Sequence, residues 1–230
     1  MLIYKNRDIR GVILDIDGTL IDSLSQYHEY FNRGLEEFAL SPAPRELLFE
    51  CLGMGIGLRD ILRRVTSSKL EDSVIDKIAK WILAEFVKVD MDVPLLPGVV
   101  ETLEFLKAEG ARIGLATGRA SGGAYEWERL EHVGLAAFID VILTAVEVPN
   151  RKPAPDLIVA CARGMAVAPA DCIAVGDTVA DIIAARAAGA IPIAVCTGVD
   201  GAEKLKTGVP AAVIDRLDEI MALFQKQRVR

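Results

Sequence analysis

The chain has 230 residues, a formal net charge of −7 and 52% hydrophobic residues, which suits one large globular domain or a domain carrying a smaller insert. This composition excludes disordered, collagenous and coiled-coil proteins. The acidic balance argues against a nucleic-acid partner. The best candidate for a membrane span, residues 182–197, contains Arg186, so we expect no membrane association.

The four cysteines, Cys51, Cys161, Cys172 and Cys196, lie far apart and form no C-x-x-C pair. Zinc and a disulfide framework are therefore poorly supported. The N-terminus carries charges where a secretion signal needs an apolar stretch. We expect buried, reduced thiols in a cytoplasmic protein.

Short apolar segments alternate with helical patterns over much of the chain. The predicted strands are residues 11–14, 113–116, 141–145, 172–175, 191–195 and 212–214. The predicted helices between them are residues 99–110, 157–165, 179–188 and 217–224. This alternation predicts an α/β fold with a Rossmann-like parallel sheet and helices on both faces.

The segment between the first two predicted strands shows helical patterns alone. It is broken at Ser41–Pro44 and at Gly53–Gly57. We interpret residues 21–93 as an inserted α-helical cap domain. Residues 1–20 and 94–230 then form the α/β catalytic core.

Polar residues follow four of the predicted strands. They are Asp15-Ile16-Asp17-Gly18, Thr117-Gly118-Arg119, Lys152-Pro153 and Gly176-Asp177 with Asp181. Ligands of open parallel sheets bind outside the carboxyl ends of the strands, so we expect these residues to meet at one site.

These residue types suit phosphoryl transfer with a hard cation. Asp15 and Asp177 can supply oxygen ligands to Mg²⁺, which binds few carboxylates and keeps several waters. Asp15 and Asp17 can reach the same phosphate, so one carboxylate can attack while the other handles protons.

Phosphate oxygens can be held at the same edge of the sheet. Lys152 and the Thr117 hydroxyl can bind them directly. Gly18 and Gly118 carry no Cβ, so their backbones can approach closely.

Each motif alone has an ordinary structural explanation. The D-x-D-G sequence could belong to a calcium loop, although Gly18 stands fourth where an EF-hand loop has its glycine sixth. Thr117-Gly118 could be a plain turn and Lys152 a solvated lysine. Asp177 and Asp181 could cap a helix. Their occurrence together, in order and at strand ends, favours a common site.

Four motifs, DIDGTLIDS, LATG, RKPAPD and GDTVAD, resemble those of the haloacid-dehalogenase-like hydrolase superfamily. The resemblance spans nearly the whole chain and is strongest to the phosphoglycolate-phosphatase-like branch with a helical cap. It implies a Mg²⁺-dependent phosphatase that hydrolyses a small phosphomonoester, phosphoglycolate-like or a sugar phosphate, through an aspartyl-phosphate.

The resemblance also implies residue roles. Asp15 is the expected nucleophile, and Asp17 the expected general acid and base whose carbonyl touches Mg²⁺. Asp177 is an expected metal ligand, and Asp181 an indirect or water-mediated partner of the metal. Lys152 is expected to neutralise charge during transfer and, with Gly18, Thr117 and Gly118, to bind phosphate.

Alternatives remain on the same fold. A phosphomutase of the β-phosphoglucomutase type is the main one, although Thr19 follows the phosphatase pattern. The presence of Asp17 argues against a dehalogenase, and a non-enzymatic module is disfavoured because no catalytic residue is missing. Thr117-Gly118-Arg119 departs from the Thr-Asn-Lys of many branch members. The expected partner is a small phosphorylated metabolite, and the protein could be a monomer or a homodimer.

Some residues have no assigned role. His28 is interpreted as a helix-packing or solvated residue. Arg59 and Arg119 could bind a second anionic group of a substrate, although a surface position is expected for each. The glycines of Gly53–Gly57 could form a loop that dips into the site or a plain helix connection.

Overall fold

The computed structural model describes residues 2–54, 56–66 and 70–224. Its strands are β1 (Leu2–Tyr4), β2 (Arg7–Ile9), β3 (Gly11–Leu14), β4 (Arg112–Ala116), β5 (Val141–Leu143), β6 (Cys172–Gly176), β7 (Ile191–Val195) and β8 (Ala212–Ile214). Its helices are α1 (Leu24–Glu37), α2 (Arg45–Gly53), α3 (Leu58–Val65), α4 (Asp72–Val87), α5 (Val99–Ala108), α6 (Gly123–His132), α7 (Asp156–Gly164), α8 (Val179–Ala188), α9 (Ala202–Lys206) and α10 (Ile220–Leu223).

A six-stranded parallel sheet organises the chain, in the order β5-β4-β3-β6-β7-β8. The first strand of this sheet, β3, lies in its centre and pairs with both β4 and β6. In the register of these pairs Leu14 lies opposite Leu115 on one side and Val175 on the other. The residues that follow these three strands therefore emerge side by side at the point where the strand order reverses, the usual ligand site of such sheets.

Both faces of the sheet are covered, as the alternation along β3 shows. Val12 and Leu14 belong to one apolar core, whereas Ile13 belongs to the core on the other face. Alternate side chains of a strand point to opposite faces, and all three are almost fully buried. The predicted α/β fold with a parallel sheet is confirmed.

Helices α1–α4, hereafter the helical insert, pack around a core of their own. Phe31, Leu48, Leu62 and Ile78 are fully buried in it. The insert interrupts the chain between β3 and β4, as predicted. The precise domain limits at residues 21 and 93 stay a prediction.

The two segments that connect the insert with the rest of the chain lie side by side. The Asp22 N–H donates to the Pro94 carbonyl over 2.9 Å, and Ile21 forms an antiparallel bridge with Leu95. The insert is thus joined to the rest of the chain by one narrow pair of segments.

Some elements differ from the sequence prediction. The hairpin β1–β2 and the helices α6 and α9 were not predicted, and residues 217–224 form a 3₁₀ turn followed by one α-helical turn. Three cysteines are buried and unpaired as expected, whereas Cys196 is half-buried and also unpaired. No helix in the described part of the chain is both long and apolar enough to cross a membrane.

Candidate active site

A buried ion pair stands at the centre of the sheet edge. Asp15 follows β3 directly, and its N–H donates to the Val175 carbonyl over 3.0 Å. The Lys152 Nζ reaches over from the loop after β5 and lies 2.7 Å from Asp15 Oδ1 and 2.6 Å from the Ala116 carbonyl oxygen. Both side chains are about one-tenth exposed. Lys152 is therefore held against Asp15 and is not the solvated lysine of the alternative interpretation.

Asp181 has both a structural and an electrostatic partner. It completes a capping box at the start of α8, in which its Oδ2 accepts from the Thr178 N–H at 3.0 Å and its own N–H donates to Thr178 Oγ1 at 3.2 Å. Its other oxygen, Oδ1, lies 2.5 Å from Lys152 Nζ. The helix cap fixes the Asp181 carboxylate, so that Lys152 has a second anionic partner besides Asp15.

Asp177 is held by the loop that follows β7. The Val199 N–H donates to Asp177 Oδ2 over 2.7 Å, and the Asp200 N–H donates to the Asp177 carbonyl over 3.2 Å. The Thr197 hydroxyl of this loop donates to the Gly18 carbonyl over 2.6 Å. The loop therefore connects the residues after β3 with those after β6.

Gly18 has a left-handed backbone, with φ of 73°. A Cβ there would lie 2.7 Å from Asp177 Oδ2 and 2.8 Å from the Gly198 Cα. Glycine is needed for both the conformation and the close approach.

Three carboxylates and a single lysine share this buried space. Asp15, Asp177 and Asp181 are less than one-tenth exposed. Burial raises the pKa of Asp15 to about 7, with Asp181 and Asp17 adding to the rise and Lys152 opposing it. Burial, together with Asp181 and Asp15, also raises the pKa of Asp177. Excess negative charge destabilises the ionised forms.

A divalent cation fits this donor set. Asp15 and Asp177 are hard oxygen donors, and a positive ion beside them would balance the charge that Lys152 leaves uncompensated. Among the described residues no group of three or more Asp, Glu, His or Cys side chains is arranged as a metal site. Two carboxylates, a backbone carbonyl and waters are the smaller set that Mg²⁺ commonly accepts.

Thr117 lies at the end of β4, beside Asp15's strand. It is almost fully buried, and its Oγ1 accepts from the Arg119 N–H at 3.2 Å. Its own hydroxyl proton stays available for a phosphate oxygen. Beside it, a Cβ on Gly118 would meet no atom within 4 Å, so Gly118 is not required there for packing.

Asp17 forms a two-pronged ion pair with Arg119. The Arg119 Nε and Nη2 lie 2.6 Å from its Oδ2 and Oδ1. Although burial acts to raise the pKa of Asp17, Arg119 lowers it to about 2. This is opposite to the raised value that an acid role predicts. The surface position expected for Arg119 is also wrong, because its side chain is 14% exposed and ion-paired.

The other residues without an assigned role lie in the insert. Arg59 pairs with Asp76 over 2.9 Å on the surface, as expected. A ring nitrogen of His28 lies 3.1 Å from the Asn32 amide nitrogen and the His28 ring stands edge-on to Phe49, which supports the helix-packing interpretation. A Cβ on Gly53 would lie 2.9 Å from Asp200 Oδ1, so the end of α2 contacts the loop beside Asp177. Gly55 lies outside the described residues.

Sequence reasoning missed the loop at residues 197–200 and the acid partner of Arg119. The loop follows the end of β7, so extending the strand-end rule to that strand would have found Thr197 and Gly198. Asp90, which binds Arg119, lies after α4 in the helical region and carries no local signal.

Comparisons with known proteins show what the chain is similar to. The sequence profile described as haloacid dehalogenase-like hydrolase matches residues 12–195. Phosphoglycolate phosphatase 1 of Pseudomonas aeruginosa is 29% identical over 223 residues, which cover 95% of this chain and 80% of that protein.

Solved structures share the fold. A Haemophilus somnus 129PT protein described as a predicted phosphoglycolate phosphatase superposes with a TM-score of 0.83 at 23% identity, covering 94% of this chain and 97% of that one. β-Phosphoglucomutase from Clostridium difficile superposes with a TM-score of 0.75 at 21% identity, covering 92% of this chain and 93% of that one. At these identities the two structures speak for the fold alone. The profile covers most of the chain, and the chain belongs to the haloacid dehalogenase-like hydrolase family.

Proposed function

We propose that the protein is a Mg²⁺-dependent phosphatase that hydrolyses a small phosphomonoester through a phosphorylated Asp15. One observation carries the proposal. A buried carboxylate, Asp15, stands at the centre of the sheet edge with the Lys152 ammonium 2.7 Å away and a second carboxylate two residues on. A nucleophile, a countercharge and a proton carrier are the parts that this reaction needs.

In the first step an Asp15 oxygen forms a bond to phosphorus, and the bond from phosphorus to the leaving oxygen breaks. Asp17 gives its proton to that leaving oxygen. In the second step Asp17 takes a proton from water. The water oxygen bonds to phosphorus, and Asp15 is released as a free carboxylate.

Asp17 has to become protonated when the substrate binds, because Arg119 keeps it ionised before that. Arg119 favours the ionised form, whereas a phosphate dianion near the carboxylate favours protonation because like charges repel. The same dianion attracts the guanidinium and competes with Asp17 for it.

The other residues of the site would position the phosphate and balance the negative charge around it. Lys152, fixed by Asp181, lies where it can balance charge on Asp15 and on the transferring group. Thr117, Gly18 and Gly118 lie at the strand ends where they can bind phosphate oxygens. The Asp15 and Asp177 carboxylates, with the Asp17 carbonyl, would hold Mg²⁺. The ion supplies positive charge to the transferring phosphoryl group.

The substrate class follows from the insert and from the relatives. The end of α2 approaches the loop beside Asp177, and an insert that covers the site would favour small substrates over large ones. The relative from Pseudomonas aeruginosa is named a phosphoglycolate phosphatase. Phosphoglycolate is therefore the first compound to test, followed by sugar phosphates.

A phosphate-release screen over a few dozen phosphorylated metabolites with Mg²⁺ tests the proposal. We expect a small phosphomonoester to give the highest kcat/KM, and we expect chelator to abolish its hydrolysis. Asp15→Asn should remove turnover, whereas exposed Asp8→Asn should not. Full activity in purified Asp15→Asn protein would contradict the mechanism, and conversion of a sugar phosphate to its isomer without phosphate release would indicate the phosphomutase.

A further inference from the structure

Arg119 joins Asp17 to the segment through which the chain leaves the helical insert. One edge of its guanidinium, formed by Nε and Nη2, binds Asp17. On the other edge, Nη1 and Nη2 lie 2.6 and 2.9 Å from Asp90 Oδ2 and Oδ1. Asp90 begins a 3₁₀ turn, Asp90–Asp92, directly after α4. One planar cation is thus shared between a residue of the sheet edge and a residue of the exit segment.

The shared cation lies inside the protein. Asp90 is 1% exposed and also accepts from the Tyr125 hydroxyl at 3.2 Å. Arg129 Nη1 lies 3.5 Å from Asp90 and 3.2 Å from Glu126. Arg119 and Arg129 come from the part of the chain that follows the insert, whereas Asp90 is part of the segment that leads out of the insert.

The insert touches the same guanidinium from another side. The Phe86 ring, in the last turn of α4, has its centroid 5.9 Å from Arg119 Cζ. A cation at this distance from a ring is attracted to its face. Arg119 is therefore held by two residues, Phe86 and Asp90, from consecutive parts of the chain leaving the insert.

The planar guanidinium of an arginine fixes the orientation of a bound carboxylate in addition to balancing its charge. Two parallel N–H···O bonds fix the plane of a carboxylate relative to the guanidinium, which a point charge does not do. Asp90 fixes one side of Arg119, and Arg119 in turn fixes the Asp17 carboxylate. The orientation of Asp17 therefore depends on where Asp90 lies.

We infer that Arg119 and Asp90 are positioning residues that orient the Asp17 carboxylate, so that the exit segment of the helical insert sets the alignment of the acid–base group. The inference rests on the proposed function, because it gives Asp17 the proton-transfer role. It predicts that a change at Asp90 harms proton transfer in particular and leaves the attack by Asp15 intact.

Asp90→Asn is the variant of choice, and Asp92→Asn is its matched control. Asp92 lies in the same 3₁₀ turn but is exposed and pairs with His132 on the surface. Asp17, Asp90 and Glu126 face two arginines in this buried group, so the substitution removes an excess negative charge and should be compatible with folding.

The readout is the single-turnover rate of Asp15 phosphorylation with two kinds of substrate. The best alkyl phosphomonoester of the screen needs a proton on its leaving oxygen, whereas p-nitrophenyl phosphate releases a stable anion. General acid catalysis contributes about 10²–10⁴ in rate. We expect Asp90→Asn to slow the alkyl ester at least about 10-fold and the aryl ester less than about 3-fold, with Asp92→Asn unchanged on both.

A double-mutant comparison separates an effect that acts through Asp17 from a general disturbance of the structure. In the Asp17→Asn background, Asp90→Asn should have almost no further effect, because residues acting through one group are not additive. Arg119→Lys keeps the charge but loses the fork, and it should show the same split between alkyl and aryl esters. It also serves if Asp90→Asn protein does not fold.

The outcomes separate the inference from the proposed function. Equal slowing of both substrates, or an additive effect in the Asp17→Asn background, would overturn the positioning role while Asp15→Asn still removes turnover. Full turnover in Asp15→Asn protein would instead overturn the proposed function itself.

Discussion

Gly198 lies against Asp177 so closely that a Cβ at position 198 would stand 1.8 Å from Asp177 Oδ2. No side chain can occupy that space unless Asp177 or the loop moves. Because the next residue, Val199, donates its N–H to the same oxygen over 2.7 Å, the loop and the carboxylate are positioned as one unit.

Gly198→Ala should therefore impair the proposed metal site. We expect the displaced Asp177 to raise the Mg²⁺ concentration for half-maximal activity at least about 10-fold, in the range typical of disturbed ligand surroundings. Gly201→Ala is the matched control, because a Cβ at Gly201, in the same stretch of chain, meets no atom within 4 Å. An unchanged Mg²⁺ titration in Gly198→Ala protein would contradict the coupling of this loop to the proposed metal site.

Lys152→Met should cost both activity and stability, because it leaves Asp15 and Asp181 buried without their shared cation. Breaking a buried ion pair costs about 3–5 kcal/mol, and losing the countercharge should lower kcat at least about 100-fold. Without the lysine, the folded-state pKa of Asp15 rises further above its unfolded value. The loss of stability should therefore be largest at alkaline pH and shrink as the pH falls and the carboxyls protonate.

Urea unfolding at several pH values, with chelator present, measures this effect of Lys152→Met. Lys206→Met serves as the control, since Lys206 forms an exposed ion pair with Glu203. A pH-independent loss of stability would contradict the electrostatic explanation.

Asp140 should make folding stability depend on acid pH. It accepts from the Ile113 N–H at 2.8 Å and pairs with Arg112 and Lys107. Although burial acts to raise the pKa of Asp140, these contacts outweigh it and hold that pKa below its usual range. The Asp140 carboxylate therefore stabilises the fold at pH values above its unfolded-state pKa of about 4. This contribution is lost as the pH falls through the lowered folded-state pKa.

We expect Asp140→Asn to reduce the free energy of unfolding by about 1 kcal/mol at neutral pH. The deficit should become smaller in acid solution, where wild-type Asp140 takes up a proton. Chemical denaturation of both proteins at neutral and acid pH provides the measurement. A deficit that is as large in acid as at neutral pH would show that charge is not the cause.

The sequence was informative wherever a buried strand preceded a polar residue. Asp15 and Asp177 were placed at one edge because their apolar strands are recognisable and parallel strands end together. The hairpin β1–β2 was missed because its turn uses Lys5 and Asn6 with positive φ, and lysine is not a usual signal for such a turn. Arg119 was misplaced because its partners come from two distant segments.

Helix α6 was missed for a related reason. Its buried face includes Glu126 and Arg129, so the apolar period that identifies a helix is interrupted. Charges that satisfy one another inside a fold look like surface charges in a sequence, because only the folded chain brings them together. The same property concealed the network around Asp90.

The contact of Gly53 with the loop beside Asp177 allows a direct test of the insert's role in substrate selection. A Cβ on Gly53 would lie 2.9 Å from Asp200 Oδ1 and 3.2 Å from Val199 Cγ1. Asp200 cannot yield easily, since it is 1% exposed and its Oδ2 accepts from the Val179 N–H at 2.8 Å. The branched side chain of Gly53→Val should therefore push the end of α2 away from the loop.

If the insert covers the site, Gly53→Val loses substrate contacts and admits water. The KM for a small phosphomonoester should then rise several-fold, and selectivity over a phosphopeptide should fall. Gly57→Ala is the control in the same insert, because a Cβ there meets no atom within 4 Å. Values of kcat/KM for phosphoglycolate, a sugar phosphate and a phosphopeptide decide the matter, and unchanged selectivity in a folded Gly53→Val protein would show that this contact plays no part in substrate choice.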